Sequence, residues 1–217
     1  MIAGEVAEEL FARLAWMTIK PTTVLSVGNG DEVSLRLQQC FPEAEILSQR
    51  LPSAESSVDV IFANMALPWQ ADNKKIFQSW RRMLRPNGLL IFSTLGLDTL
   101  KECQAIFGDA LPSFVDMHDV GDDLLEAGFS DPVLDVDYFT TVYRSKEKLI
   151  AELCASGMLG SEPDAVQIDQ LIATDDQAYE LTYEIVFAHA FAPLQSDRSV
   201  TEDGVVKVPL SQLRRSL

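Results

Sequence analysis

The sequence predicts an α/β domain built on a doubly wound, mostly parallel sheet, shortened by about one β-α unit. Three observations predict it. Val24 to Gly30 reads V-L-S-V-G-N-G, an apolar run that ends in a Gly-x-Gly turn and opens a nucleotide-binding β-α unit. Val58 to Ala63 (V-D-V-I-F-A) and Leu89 to Thr94 (L-L-I-F-S-T) are nearly continuous apolar strands, as expected of a sheet covered on both faces. Segments of helical spacing separate them, and strand, helix, strand, helix, strand is the pattern of a parallel doubly wound sheet.

The elements follow in order. Glu5 to Met17 places Val6, Leu10, Leu14 and Met17 at helical spacing, an amphipathic helix. Thr23 to Val27 is a buried strand. Asp31 to Phe41 carries Val33, Leu35 and Leu37 opposite a polar face and closes as a helix before Pro42. Glu45 to Ser48 is a short strand. Asn73 to Leu84 is a helix with Ile76, Phe77, Trp80 and Leu84. Arg85-Pro86-Asn87-Gly88 is a turn with positive φ expected at its glycine. A helix is expected over Leu97 to Phe107, and another over Val120 to Ala127, closed by Gly128. Val133 to Tyr143 alternates as a strand, Lys146 to Ser156 is a helix, and Leu181 to Phe191 is a strand rich in β-branched and aromatic residues. Gly157 to Asp176 is polar and undecided.

The shortening is arithmetic. Only 29 positions separate Gly30 from Asp59. A helix of ~11 residues, a strand of ~5 and a connection of ~4 fill about 20 of them, so one unit fits and two do not. An acid that holds a ribose is expected about 20 residues after a glycine loop, at the end of the second strand. That region reads E-A-E-I-L-S-Q-R-L-P, and Glu43 and Glu45 read as solvated loop acids.

Composition excludes several classes. The 217 residues fit a single domain, here residues 1–217, with a first half (1–110) on the cofactor side and a second half (111–217) on the substrate side. A net charge of -16 leaves no basic stripe for phosphates, so nucleic acid is not an expected partner. Arg81, Arg82 and Arg85 end a helix, where the dipole favours cations; a docking patch for an acidic partner is the alternative. Cys40, Cys103 and Cys154 stand in no metal spacing and read as free thiols of a reducing cytoplasm, so no metal is expected. No secretory leader is read in M-I-A-G-E-V-A-E-E, and no apolar run reaches the ~20 residues that span a bilayer.

With these motifs in place, the chain resembles the malonyl-acyl-carrier-protein O-methyltransferases of biotin synthesis, from end to end. E-V-A-E-E-L-F-A-R-L is similar to their entry helix. N-M-A-L-P-W (Asn64 to Trp69) resembles their N-L-A-L-Q-W. L-R-P-N-G-L-L-I-F-S-T-L-G-L-D-T-L (Leu84 to Leu100) resembles L-R-P-G-G-L-L-L-F-S-T-L-G-P-D-T-L. F-V-D-M-H-D-V-G-D-D-L-L-E-A-G-F-S-D-P-V-L-D (Phe114 to Asp135) is the most specific segment, and Y-E-I-V-F-A-H-A-F (Tyr183 to Phe191) matches the last strand.

The resemblance implies a Rossmann-like class I methyltransferase that binds S-adenosylmethionine. It implies methylation of the free carboxylate of a malonyl thioester on an acyl carrier protein, or of a small carboxylate. A carboxylate oxygen is already a nucleophile, so the chemistry asks for placement rather than a strong base, and no catalytic residue is assigned. Gly28 and Gly30 would let the backbone approach the methionine part of the cofactor, Asn64 would line the pocket, and Trp69 would cover it. Gly96, Asp98 and Thr99 would face the substrate mouth. His118 is either a substrate-side contact or a helix-start residue beside a capping Asp116 or Asp119. His189, Tyr143 and Tyr183 read as core.

The chain departs from the family pattern at three places. Ser26 stands where an acid is usual, Glu32 where a glycine is usual, and Leu47 where an acid would precede L-P. Three readings stay open at this level: an active methyltransferase, a degenerate relative that keeps the scaffold and acts as a binding or regulatory partner, or a different reaction on the same fold. An acidic carrier protein would be repelled at long range by the net charge, offset only near Arg81, Arg82 and Arg85 or Arg214 and Arg215. A sheet edge left by the missing unit could pair two copies as a homodimer.

Overall fold

Side chains of the central strands alternate between two helical layers, and this alternation divides the apolar core in two. The computed structural model describes residues 2–28, 30–48, 54–67, 72–174, 176–194, 199–200 and 206–207. The elements are α1 (Ile2–Ala15), β1 (Thr23–Val27), α2 (Asp31–Cys40), β2 (Glu45–Ser48), β3 (Val58–Asn64), α3 (Asn73–Met83) and β4 (Leu84–Leu95). They continue with α4 (Lys101–Phe107), a 3₁₀ turn (Gly108–Ala110), α5 (Met117–Glu126), β5 (Ser130–Tyr143), α6 (Lys146–Ala155), α7 (Ala165–Asp169) and β6 (Tyr179–Phe191). A two-residue pair, β7 (Ser199–Val200) and β8 (Val206–Lys207), stands apart from the main sheet.

The main sheet has the order β2-β1-β3-β4-β6-β5. The first four strands are parallel, β6 is antiparallel to β4, and β5 is antiparallel to β6. On one face Val24, Val60, Phe62 and Ile91 pack with Leu10 of α1, Leu37 of α2, Cys103 of α4 and Leu149 of α6. On the other, Leu25, Ile61 and Phe92 pack with Phe77 and Trp80 of α3 and Leu124 of α5. The sheet is therefore doubly wound and mostly parallel. β2 is its edge, and β3 begins at Val58, soon after β2 ends at Ser48. A parallel crossover usually needs a dozen or more residues and a helix, so the chain lacks one β-α unit.

Four details differ from the sequence reading. Positive φ falls at Asn87 (+63°), not at Gly88. Gly88 is needed for space instead: a Cβ there would lie 2.8 Å from the Arg85 carbonyl oxygen and 3.2 Å from that of Asp59. The expected turn is a register break inside β4, where Val58 pairs with Leu84 but Val60 with Leu89. β5 starts three residues early, at Ser130, with a register shift around Asp131 (φ +51°) that accommodates Pro132 on an edge strand. The helix expected from Leu97 starts only at Lys101, because residues 96–100 bond to β6 instead. The undecided stretch contains α7, started by a capping box between Asp164 and Gln167.

The amino end of the sheet is tied by Asp59. Its carboxylate accepts from Thr22 N (2.7 Å), Thr23 N (3.0 Å) and the Arg85 guanidinium (2.8 Å). Partial burial pushes this carboxyl up, but Arg85 and the Thr22 and Thr23 donors outweigh it and hold it below the ordinary value. Arg81 donates to the carbonyl oxygens of Gly128 (3.0 Å) and Pro193 (3.4 Å). Both arginines are thus engaged within the fold, at the end of the sheet opposite the Gly-x-Gly turn. Arg214 and Arg215 lie outside the described residues.

Candidate active site

In an open parallel sheet the loops at the carboxyl ends of the strands are free to meet a ligand. Here these are the loops after β1, β3 and β4. Gly28 sits in the first with φ +72°, and a Cβ on it would lie 2.7 Å from Ala66 Cβ and 3.1 Å from the Asn64 carbonyl oxygen. Only glycine meets both demands, so the loops after β1 and β3 lie against each other. Gly30 is different: it has negative φ, and a Cβ there would meet nothing within 4 Å. It is the N-cap of α2 and supplies no side-chain acceptor, so the first N–H groups of that helix are not capped by it.

Asn64, the last residue of β3, is 5% exposed. Its Nδ2 donates to the Ala3 carbonyl oxygen (2.9 Å), and its Oδ1 accepts from Ser93 Oγ (2.9 Å). Ser93 Oγ in turn accepts from Met65 N at 3.0 Å. The Asn64 amide is therefore engaged in joining α1, β3 and β4, and what it brings to the rim is its backbone. Met65 beside it is a buried non-glycine residue with φ +54°, a strained conformation next to the candidate site.

The loop after β4 forms a second group. Thr99 is fully buried, and its Oγ1 donates to the Glu184 carbonyl oxygen (3.1 Å) and accepts from Glu184 N (3.2 Å). Asp98 is exposed; its N donates to Glu184 Oε2 (2.6 Å), and its carboxylate accepts from Tyr138 OH (3.4 Å). His118 is exposed in the first turn of α5, where its N donates to Asp116 Oδ1 (2.7 Å), so Asp116 is the cap. α5 ends beside the start of β5, and its first turn therefore stands at the carboxyl end of the sheet. Trp69 lies outside the described residues.

The structure thus brings Gly28 and Asn64 into contact, and it holds Asp98 and Thr99 in the loop after β4, five and six residues beyond Ser93. Ser93, Ala66, Glu184 and Tyr138 belong to this rim, and sequence reasoning missed them. Ser93 was legible as a hydroxyl in an otherwise apolar strand. Glu184 was not, since it reads as the solvated member of an alternating strand.

The departures from the cofactor pattern have clear places. Ser26 is buried and its Oγ accepts from Ser34 Oγ at 3.5 Å. Glu32 is exposed in the first turn of α2 beside Asp31. It lines a groove of about 490 Å³ between α1 and α2, together with Gly4, Phe11, Val33 and Arg36. Arg36 lies 4.4 Å over the Phe11 ring and pairs with Glu8. β2 ends in Ile46, Leu47 and Ser48, without an acid for a ribose.

Of the residues read as core, Tyr143 and Tyr183 are buried and His189 is half-buried. Burial drives the Tyr183 phenol well up, and it drives Cys103 up to about 12, which leaves that thiol unreactive. Half-buried His189 is held below its ordinary value by burial, against the opposing pull of Asp135. Among the described residues no His, Cys, Asp and Glu cluster could hold a metal ion, and no helix is long and apolar enough to cross a membrane.

Residues 22–92 match a family described as a methyltransferase domain. The malonyl-[acyl-carrier protein] O-methyltransferase of Methylovorus sp. (strain MP688) is 30% identical over 245 residues, with 89% of this chain and 83% of that protein covered. Malonyl-[acyl-carrier protein] O-methyltransferase 1 of Coxiella burnetii is 29% identical over 252 residues, with 99% and 89% covered. In fold, the chain is similar to phosphoethanolamine N-methyltransferase 2 of Haemonchus contortus, solved in complex with S-adenosyl-L-methionine. The TM-score is 0.52 at 15% identity, with 86% of this chain and 52% of that chain covered.

Proposed function

Since the chain belongs to the malonyl-[acyl-carrier protein] O-methyltransferase family, we propose that it methylates the free carboxylate of a malonyl thioester carried on an acyl carrier protein. S-adenosylmethionine would supply the methyl group as an electrophilic sulfonium. The observation that carries this reading is the Gly28 turn. It has positive φ, no room for a Cβ on one side, and on its other side Gly30 leads into a helix start with open space around it.

Gly28 and Gly30 receive the amino-acid end of the cofactor, and the backbone of residues 64–66 floors the pocket. The free N–H groups of α2 favour a carboxylate, while Asp31 and Glu32 favour the neighbouring ammonium. The fit is therefore best at the methionine end. At the ribose end Leu47 and Ser48 offer apolar contact and one hydroxyl in place of an acid. Asp98, Thr99 and His118 belong to the acceptor side, with Thr99 acting through the backbone it clamps. In this reading the loops after β1 and β3 hold the cofactor, and the loop after β4 with the first turn of α5 holds the acceptor.

Incubation with malonyl-acyl carrier protein and labelled S-adenosylmethionine tests the proposal. Label is expected on the carrier protein, as an ester cleaved by mild base. Label that resists base, or none while a control methyltransferase works, rules the proposal out.

A further inference from the structure

The loop after β4 is held by a side chain from β6. Glu184 lies on β6, and its carboxylate reaches the loop in two ways. Oε2 accepts from Asp98 N at 2.6 Å, a charge-assisted bond. The same carboxylate also occupies the space where a side chain at residue 96 would stand: a Cβ on Gly96 would lie 2.5 Å from Glu184 Cδ and 2.7 and 2.8 Å from its oxygens. The backbone of Glu184 adds three more bonds, from Gly96 N to its carbonyl oxygen (2.9 Å) and the pair with Thr99 Oγ1. One residue on, Leu100, with φ +54°, donates to the Thr182 carbonyl oxygen at 2.7 Å. Thr182 Oγ1 and N both donate to Glu102.

We propose that Glu184 is a positioning residue for the methyl acceptor: its carboxylate fixes the Gly96–Asp98 segment as a preformed wall of the mouth, and Gly96 is glycine to admit it. This rests on the reading of that loop as the acceptor side. Tyr138 completes the arrangement. It pairs with Glu184 across β5 and β6, and its phenol donates to Asp98 Oδ2. Lys101 Nζ stands 5.9 Å from the Tyr138 ring. The wall thus presents a phenol and a cation beside two carboxylates whose places are set before an acceptor arrives. A misplacement of about 1 Å at such a wall costs roughly 100-fold in rate.

The geometry makes Gly96 and Glu184 a testable pair. The far end of a flexible side chain can move, and Gly96 has no positive φ, so Gly96→Ala displaces the carboxylate without breaking the fold. Wild type, Gly96→Ala, Glu184→Ala and the double variant are compared. Three quantities are read: acceptor kcat/KM, S-adenosylhomocysteine affinity, and amide hydrogen exchange over residues 96–99. Either single change is expected to speed exchange at the Asp98 amide and lower acceptor kcat/KM about 10- to 100-fold. Cofactor affinity is expected to stay within about twofold, well inside 1 kcal/mol. The double variant is expected to be no worse than Glu184→Ala, since the two act through one contact. Glu184→Gln, which keeps an acceptor for Asp98 N, is expected to restore most of the loss.

Losses that multiply in the double variant, or a faster Asp98 amide with unchanged kcat/KM, overturn the proposal. A wild-type chain without turnover overturns the function proposed above instead. Exchange at Asp98 then still decides whether Glu184 holds the loop, and an unchanged rate in Glu184→Ala refutes it.

Discussion

Gly28→Ala is expected to lower stability by about 2–5 kcal/mol, from a left-handed conformation of ~1–2 kcal/mol and overpacking of ~1–3 kcal/mol. It is also expected to abolish measurable cofactor binding. The cause is the pair of demands at this position: φ +72°, and Ala66 Cβ at 2.7 Å from an added methyl group. Neither can be relieved by a rotamer change, because the contact atoms are a short side chain and backbone. The loop must move away from residues 64–66, and the turn into α2 moves with it. Urea unfolding gives the stability change and calorimetry the binding. Gly30→Ala is the control for stability, since its Cβ meets nothing within 4 Å. A Gly28→Ala protein as stable as wild type would mean that the two loops are not in contact.

Asn64→Ala is expected to cost about 1–3 kcal/mol, because the buried Ser93 hydroxyl loses the acceptor for its proton and the Ala3 carbonyl loses the bond that ties it to the sheet. The loss is directional. The first turn of α1 is tied to the sheet through Ala3, so amide exchange should rise there before it rises in β3 or β4. Asn64→Asp keeps the acceptor for Ser93 Oγ but turns a carboxylate oxygen toward the Ala3 carbonyl, and is expected to be no better. Equal protection of α1 in wild type and Asn64→Ala would show that the helix is held by Val6, Leu10 and Phe11 alone.

Much of this was legible in the chain. β1 and β2 have the bounds that their apolar runs predict, and the shortening follows from the distance between Gly30 and Asp59. Periodicity reports which residues a sheet buries, and most of this fold is such a sheet. It does not report contacts between loops. Gly96, Asp98 and Thr99 were picked out by their place after a strand, but their partner lies 85 to 88 residues away on β6. The place of Asn64 at the end of a strand was legible, but that its amide joins three elements was not. The turn at Gly88 was misread for a related reason. Left-handed φ and lack of room both select glycine, and the sequence cannot tell them apart. The arginines at the end of α3 looked available for an acidic partner. Arg85 is taken by Asp59 and Arg81 by two carbonyl oxygens, at the end of the sheet remote from the glycine turn.

Calorimetric titration of the wild-type chain with S-adenosylhomocysteine, the product that cannot turn over, decides whether the Gly28 pocket takes S-adenosylmethionine. The expected result is one site per chain with micromolar affinity, near -8 kcal/mol, and no binding by Gly28→Ala. No heat with the wild type at about 1 mM ligand, where a site worth only ~4 kcal/mol would half fill, would contradict it.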